Sequence, residues 1–119
     1  MNYQVTEFEY AGLTLAGFKS EDGHYYLIRS QIGEMIGNAP NSFLLWSRAK
    51  QITEKYGDIP ITKHTLPNGR YIKIVPTSWV VKYLFYWSEF DDRRAMAISE
   101  NLCEYALNAM IEKALSDNQ

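Results

Sequence analysis

Between Phe8 and Phe18 the apolar side chains fall at positions 8, 10, 13, 15 and 18, a period of two with a slip near Gly12. That alternation predicts a half-buried strand with a bulge at the glycine. Glu21-Asp22-Gly23 follows as a turn, because Asp-Gly readily takes the positive φ of a tight hairpin. Tyr25-Tyr26-Leu27-Ile28 reads as the returning strand.

The period then lengthens to that of a helix. Ile32, Met35 and Ile36 mark one face of a short helix, with Ser30 as its N-cap and Gly37 as its left-handed terminator. A second helix is predicted from Ser42 to Tyr56, capped by Asn41 and stopped by Gly57 and Pro60. Its inner face would be Phe43, Trp46, Ala49, Ile52 and Tyr56. Helix, tight turn, helix is the outline of a helix-turn-helix.

Alternation returns in Ile61–Thr65 and Arg70–Val75, which flank Leu66-Pro67-Asn68-Gly69, and Asn-Gly is the strongest short hairpin signal. Tyr71, Lys73 and Val75 share one face, Ile72 and Ile74 the other. The hairpin stands where a winged domain puts its wing. A third helix, Trp79–Trp87, is apolar almost all round and therefore predicted to be buried, with Thr77 or Ser78 as its cap. A fourth runs from Asp91 or Asp92 to Leu115. Its stripe is Ala95, Ile98, Leu102, Tyr105, Ala109 and Glu112, flanked by Leu107, Met110 and Ile111. At roughly 25 residues it would be about 37 Å long, enough for part of it to serve as a homodimer surface. The fold class expected is α+β and winged-helix-like: an N-terminal β-hairpin, a helix-turn-helix, a second β-hairpin as wing and two C-terminal helices.

The chain has 119 residues, of which 46% are apolar, enough for a single packed domain over 1–119 and too many for a disordered chain. The lone cysteine, Cys103, excludes an intramolecular disulfide and a cysteine-rich zinc site, and fits a reducing compartment. No apolar run approaches the roughly 18 residues of a membrane span, and Met1–Glu7 lacks the pattern of a signal peptide. A cytoplasmic protein with no membrane association is expected.

Charge changes the picture more than composition does. The total is −2, which taken alone disfavours a polyanionic partner. Residues 48–81, however, carry Arg48, Lys50, Lys55, Lys63, Arg70 and Lys73 against only Glu54 and Asp58, between two segments that are each net acidic. The second helix presents Asn41, Ser42, Ser47, Arg48, Lys50, Gln51 and Lys55 outside its apolar stripe. Arg and Lys suit guanine O6 and N7, while Asn and Gln suit adenine. The hairpin adds Lys63, His64, Arg70 and Lys73, with His64 on a strand facing solvent. Double-stranded DNA is the partner this constellation predicts, the helix entering the major groove and the hairpin following the backbone.

Other chemistry finds less support. His24, His64 and Cys103 are the only soft metal ligands and none are at ligand spacing, so no metal or other cofactor is expected. Asp91-Asp92 reads as a helix start or a site for a hard cation. No nucleophile–base pair, phosphate loop or dinucleotide loop is present, and enzymatic activity is not expected. Tyr25, Tyr26 and Tyr71 are the aromatic residues a single-stranded nucleic acid could stack on. The rival to DNA binding is a small protein-binding module, such as a phage-encoded inhibitor of a host defence or regulatory complex. Its acidic flanks, Glu7, Glu9, Glu21 and Asp22 or Glu89, Asp91 and Asp92, would dock on a basic groove.

The run from Gly23 to Gly37, with Tyr25, Leu27, Ser30, Gln31 and Ile32 at their spacing, resembles the opening of phage antirepressor-type domains of the KilA-N and Bro-N kind. Phe8–Gly37, together with Val80–Trp87 and the long helix, is also similar to small proteins abundant in cyanobacteria and their mobile elements. The resemblance implies a DNA-binding regulator in which Arg48, Lys50, Gln51, Lys55 and the wing residues face DNA.

Overall fold

The computed structural model describes residues 2–10, 12–88 and 104–117. The chain opens with three antiparallel strands, β1 (Tyr3–Tyr10), β2 (Leu13–Ser20) and β3 (Tyr25–Ile28). The alternation from Phe8 to Phe18 belongs to two strands, not to one bulged strand. The chain reverses at Gly12, whose φ of 82° is open to glycine without steric cost, and β1 pairs with β2 from Tyr3–Ser20 to Tyr10–Leu13. The Asp22-Gly23 turn forms as expected, with Gly23 at φ 85° and its amide donating to the Ser20 carbonyl at 3.0 Å.

β3 passes directly into α1 (Arg29–Glu34). No side chain caps this helix, so Ser30 is an exposed first-turn residue rather than the predicted N-cap. Gly37, at φ 77°, ends it as expected. The Gly37 amide donates to Glu34 at 3.1 Å and the Asn38 amide to Gly33 at 2.9 Å, satisfying two terminal carbonyls. Gln31 reaches back to β2, its Oε1 accepting the Ala16 amide at 2.9 Å, beyond the Gly17–Lys19 stretch that pairs with β3.

The predicted helix Ser42–Tyr56 is two helices, α2 (Ser42–Arg48) and α3 (Lys50–Tyr56), parted by Ala49 at ψ 140°. Helical geometry explains the break. At about 100° per residue, each three-residue step along the predicted inner face drifts by about 60°, which would put Phe43 and Ile52 on opposite sides of a straight helix. The break lets both enter one core, where they are 0% and 2% exposed. Asn41 flanks α2 without making a capping bond, and Gly57 (φ 79°) ends α3.

β4 (Thr62–Thr65) and β5 (Tyr71–Pro76) form the predicted hairpin. Because β5 also pairs with β3, both hairpins belong to one five-stranded antiparallel sheet of order β1-β2-β3-β5-β4. α4 (Thr77–Ser88) follows Pro76 directly. Thr77 is buried, and its hydroxyl donates to Asn108 at 2.8 Å, tying α4 to α5 (Glu104–Asp117). The predicted start of the last helix, with Asp91, Asp92, Ala95, Ile98 and Leu102, lies outside the described residues, as does Cys103. Within α5 the buried positions are Leu107, Ile111 and Leu115, while Ala109 is exposed, so the stripe is rotated from the predicted one. These three side chains pack in the chain's own core, α5 lying on β1 and α4. This part of the helix therefore offers no free apolar stripe to a second copy.

Thr6, Gly17, Leu27 and Val75 form a buried row across four strands on the side covered by the helices. Gly17 admits α5 closely, since a Cβ there would lie 2.7 Å from Ile111 Cγ1. On the opposite face Phe18 and Ile74 are also buried but stand outside the main core. Rings cover them: Tyr3 and His64 meet at 5.3 Å between centroids, and His64 meets Phe18 at 5.1 Å. Tyr3 is on the first strand of the sheet and His64 on the last, positions that a flat sheet would hold about 19 Å apart. The sheet therefore curls until its edge strands approach, enclosing a second, small core.

Candidate nucleic-acid interface

The β4–β5 hairpin sets Lys63 directly opposite Lys73. Both lie on the same face as Val75, because the side-chain period of a strand is two. Like charges directly opposite one another repel and destabilise a strand pair. The pairing of β3 with β5 then brings Arg29, the first residue of α1, to the same place. Arg29, Ser30, Tyr71 and Lys73 border a pocket of about 250 Å³ together with Ile28 and Ile72. Arg70 is exposed at the turn. That turn is fixed by the Gly69 amide donating to Leu66 at 3.0 Å, the Leu66 amide to Arg70 at 2.6 Å, and the Arg70 amide to Asn68 Oδ1 at 3.0 Å.

None of Arg29, Lys63, Arg70 and Lys73 forms an ion pair with a described carboxylate; the ion pairs among the described residues are Lys19–Glu112, His24–Asp22 and Lys50–Glu54. Lys63 instead places its ammonium 4.6 Å from the centroid of the Tyr71 ring.

The helical candidates divide. Asn41, Arg48, Lys50, Gln51 and Lys55 are exposed. Arg48 ends α2 and Lys50 begins α3, however, so no single recognition helix carries both. Lys50 faces Glu54 at 3.9 Å in an exposed pair that contributes little. Lys55 stands 5.2 Å from the Tyr56 ring centroid.

Three predicted contacts are corrected by burial. Ser47 is 3% exposed and its hydroxyl donates to the Leu44 carbonyl at 2.8 Å. Ser42 is half-buried, its hydroxyl 2.6 Å from that of the buried Tyr83, in a small network with Asn38. His64 is half-buried and packs edge-on against Tyr3 and Phe18, on the sheet face opposite Lys63 and Lys73, instead of facing solvent. Arg29 was absent from the predicted set. Its relevance follows from strand order, which no local pattern encodes.

Shifted titration is found around Glu112 and at Tyr3. Glu112 on α5 accepts from Lys19 Nζ and from the Tyr25 hydroxyl, both at 2.6 Å. These two bonds, Lys19 first, hold the Glu112 carboxyl below the usual carboxylate range. The Glu112 partner raises the Lys19 ammonium, while burial first and then Glu112 raises the Tyr25 phenol. Burial also raises Tyr3, helped by Tyr26 and Asp22. No group of three or more metal-ligating side chains occurs among the described residues. No helix among them is long and apolar enough to cross a membrane.

No protein-family model, curated protein or solved structure matches the chain.

Proposed function

We propose that the protein binds double-stranded DNA through the cationic hairpin β4–β5 and Arg29, with Arg48, Lys50, Gln51 and Lys55 on α2 and α3 as further contacts, and acts as a regulator of the phage or mobile-element type. One observation carries this reading: Lys63 stands directly opposite Lys73, Arg29 borders a pocket together with Lys73, and no described carboxylate pairs with any of the three. Backbone phosphates set against these cations replace repulsion with attraction. The hydrogen-bonded turn holds Arg70 beside them before binding, which lowers the ordering cost of association. Each phosphate neutralised also releases condensed counterions. The acidic total charge does not oppose this, because at physiological salt a field is screened within about 8 Å and the local cluster dominates.

The test is fluorescence anisotropy on a mixed-sequence duplex over a series of salt concentrations. Lys63→Ala with Lys73→Ala should lower the slope of log K against log salt by about 1.8, at 0.9 per phosphate contact. Arg48→Ala with Lys50→Ala reports on the helical half in the same way. An unchanged slope in the hairpin variant overturns the assignment of the hairpin. Failure of the folded wild type to bind at low salt overturns DNA binding itself and returns attention to a protein partner.

A further inference from the structure

Tyr71 is 59% exposed, although it sits in the middle of the cationic cluster, one residue after Arg70 and bordering the pocket that Arg29 and Lys73 share. Tyr25 and Tyr26, the other tyrosines that the sequence offers for stacking, are half-buried. Tyr71 is also the ring with the nearest lysine of any in the described structure, Lys63 Nζ at 4.6 Å. A cation over one face of an exposed ring polarises it and leaves the remaining surface to a ligand. Its hydroxyl makes no hydrogen bond to a described residue. The second strand of the hairpin is thus anchored in the sheet at Ile74 and Val75, both 0% exposed, and presents an exposed flat ring at its outer end.

A ligand matching this arrangement is polyanionic, to answer four cations without described carboxylate partners, and also presents an open π face. A nucleic acid meets both conditions only where a base is unstacked. In a plain duplex both faces of each internal base are covered by its neighbours.

Resting on the DNA-binding reading above, we propose that Tyr71 stacks on an unpaired base, so that the protein prefers DNA with an unpaired overhang to blunt duplex. Lys63, Lys73 and Arg29 hold the backbone phosphates, and the ring receives the first base beyond the paired region. The ring is the recognising group and the hydroxyl is not required.

The experiment compares anisotropy binding of a blunt duplex with that of the same duplex bearing a three-nucleotide 3′ or 5′ overhang, with 2-aminopurine at the first unpaired position. The wild type should bind one of the overhang substrates more tightly and quench its 2-aminopurine. Tyr71→Ala should weaken overhang binding roughly 5- to 150-fold, the range for loss of one base–aromatic stack, and so remove the preference for the overhang over the blunt duplex. Tyr71→Phe should behave as the wild type. Urea midpoints within experimental error of wild type, as an exposed site leads one to expect, confirm that the variants are folded.

Equal affinity of the wild type for blunt and overhang DNA overturns the proposal while leaving duplex binding intact. So does a Tyr71→Phe loss as large as that of Tyr71→Ala, which would mark a hydroxyl–phosphate contact. Binding of neither substrate overturns both readings. Binding of the overhang substrate alone supports stacking and overturns duplex recognition.

Discussion

Replacing Gly17 by alanine tests the packing that holds α5 on the sheet. The new Cβ would lie 2.7 Å from Ile111 Cγ1, 3.1 Å from Cγ2 and 3.2 Å from Cδ1. Carbon atoms rest at about 3.5–4.0 Å, so the closest pair must separate by about 1 Å. Ile111 is 0% exposed, so it cannot relieve the overlap by swinging into solvent. Overpacking of this kind costs about 1–3 kcal/mol. Against it stands a gain of about 0.4–1 kcal/mol from the less flexible unfolded chain, since Gly17 is not among the glycines held at positive φ. The net loss should be about 1–2 kcal/mol. In urea, with a slope of about 1–3 kcal/mol/M for a chain of this size, the midpoint falls by roughly 0.3–2 M. Ile111→Ala removes all three clashing atoms, at its own cavity cost of about 2–5 kcal/mol. In that background Gly17→Ala should be neutral or stabilising, a coupling of about 1–3 kcal/mol in the double-mutant cycle. Additive losses in the two backgrounds would refute the reasoning.

Two further outcomes follow from the described bonds. Lowering of the Glu112 carboxyl makes its contribution to stability present above the ordinary value of 4.5 and lost as pH falls through the lowered folded-state value. Glu112→Gln should therefore flatten the acid limb of a urea-midpoint series. The raised Lys19 ammonium acts with the opposite sign: its contribution is present below 10.5 and lost as pH rises through the raised value. An acid limb identical in both proteins would show that the Glu112 cluster is not formed in solution. Ser47→Ala should leave DNA affinity within about twofold and cost about 1 kcal/mol or less, because it removes one short-range hydrogen bond. A large loss of affinity with an unchanged urea midpoint would place the Ser47 hydroxyl on DNA after all.

Much of the architecture was legible from local chemistry. Gly23, Gly37, Gly57 and Gly69 adopt positive φ at the predicted turns and helix ends, where only glycine does so without strain. Tyr71, Lys73 and Val75 share a face because strand periodicity is rigid. Several features depart from the local pattern, three of them for clear physical reasons. Gly12 reads as a bulge from the sequence because alternation on its two sides does not distinguish a kink from a reversal. The +3 spacing from Phe43 to Ile52 drifts around a helix, a signal of the Ala49 break that is present in the sequence but is obscured by counting apolar positions. The outward assignment of Ser42 and Ser47 failed because small polar side chains are buried readily once a neighbouring carbonyl or hydroxyl satisfies them. Of the candidate interface, the hairpin cations could be read directly. Arg29 could not, since its place beside Lys73 depends on which strands become neighbours.

The curl that brings Tyr3 against His64 has a mechanical consequence. β1 contributes no cation to the interface, yet its first ring braces the strand that holds Lys63, the immediate chain neighbour of His64. The brace runs between the outermost strands instead of through the hydrogen-bonded ladder. If the hairpin holds phosphates as proposed, loosening the first strand should weaken that hold through the lost Tyr3–His64 contact. Two margins of the molecule that are not neighbours in the sheet thus touch through their rings.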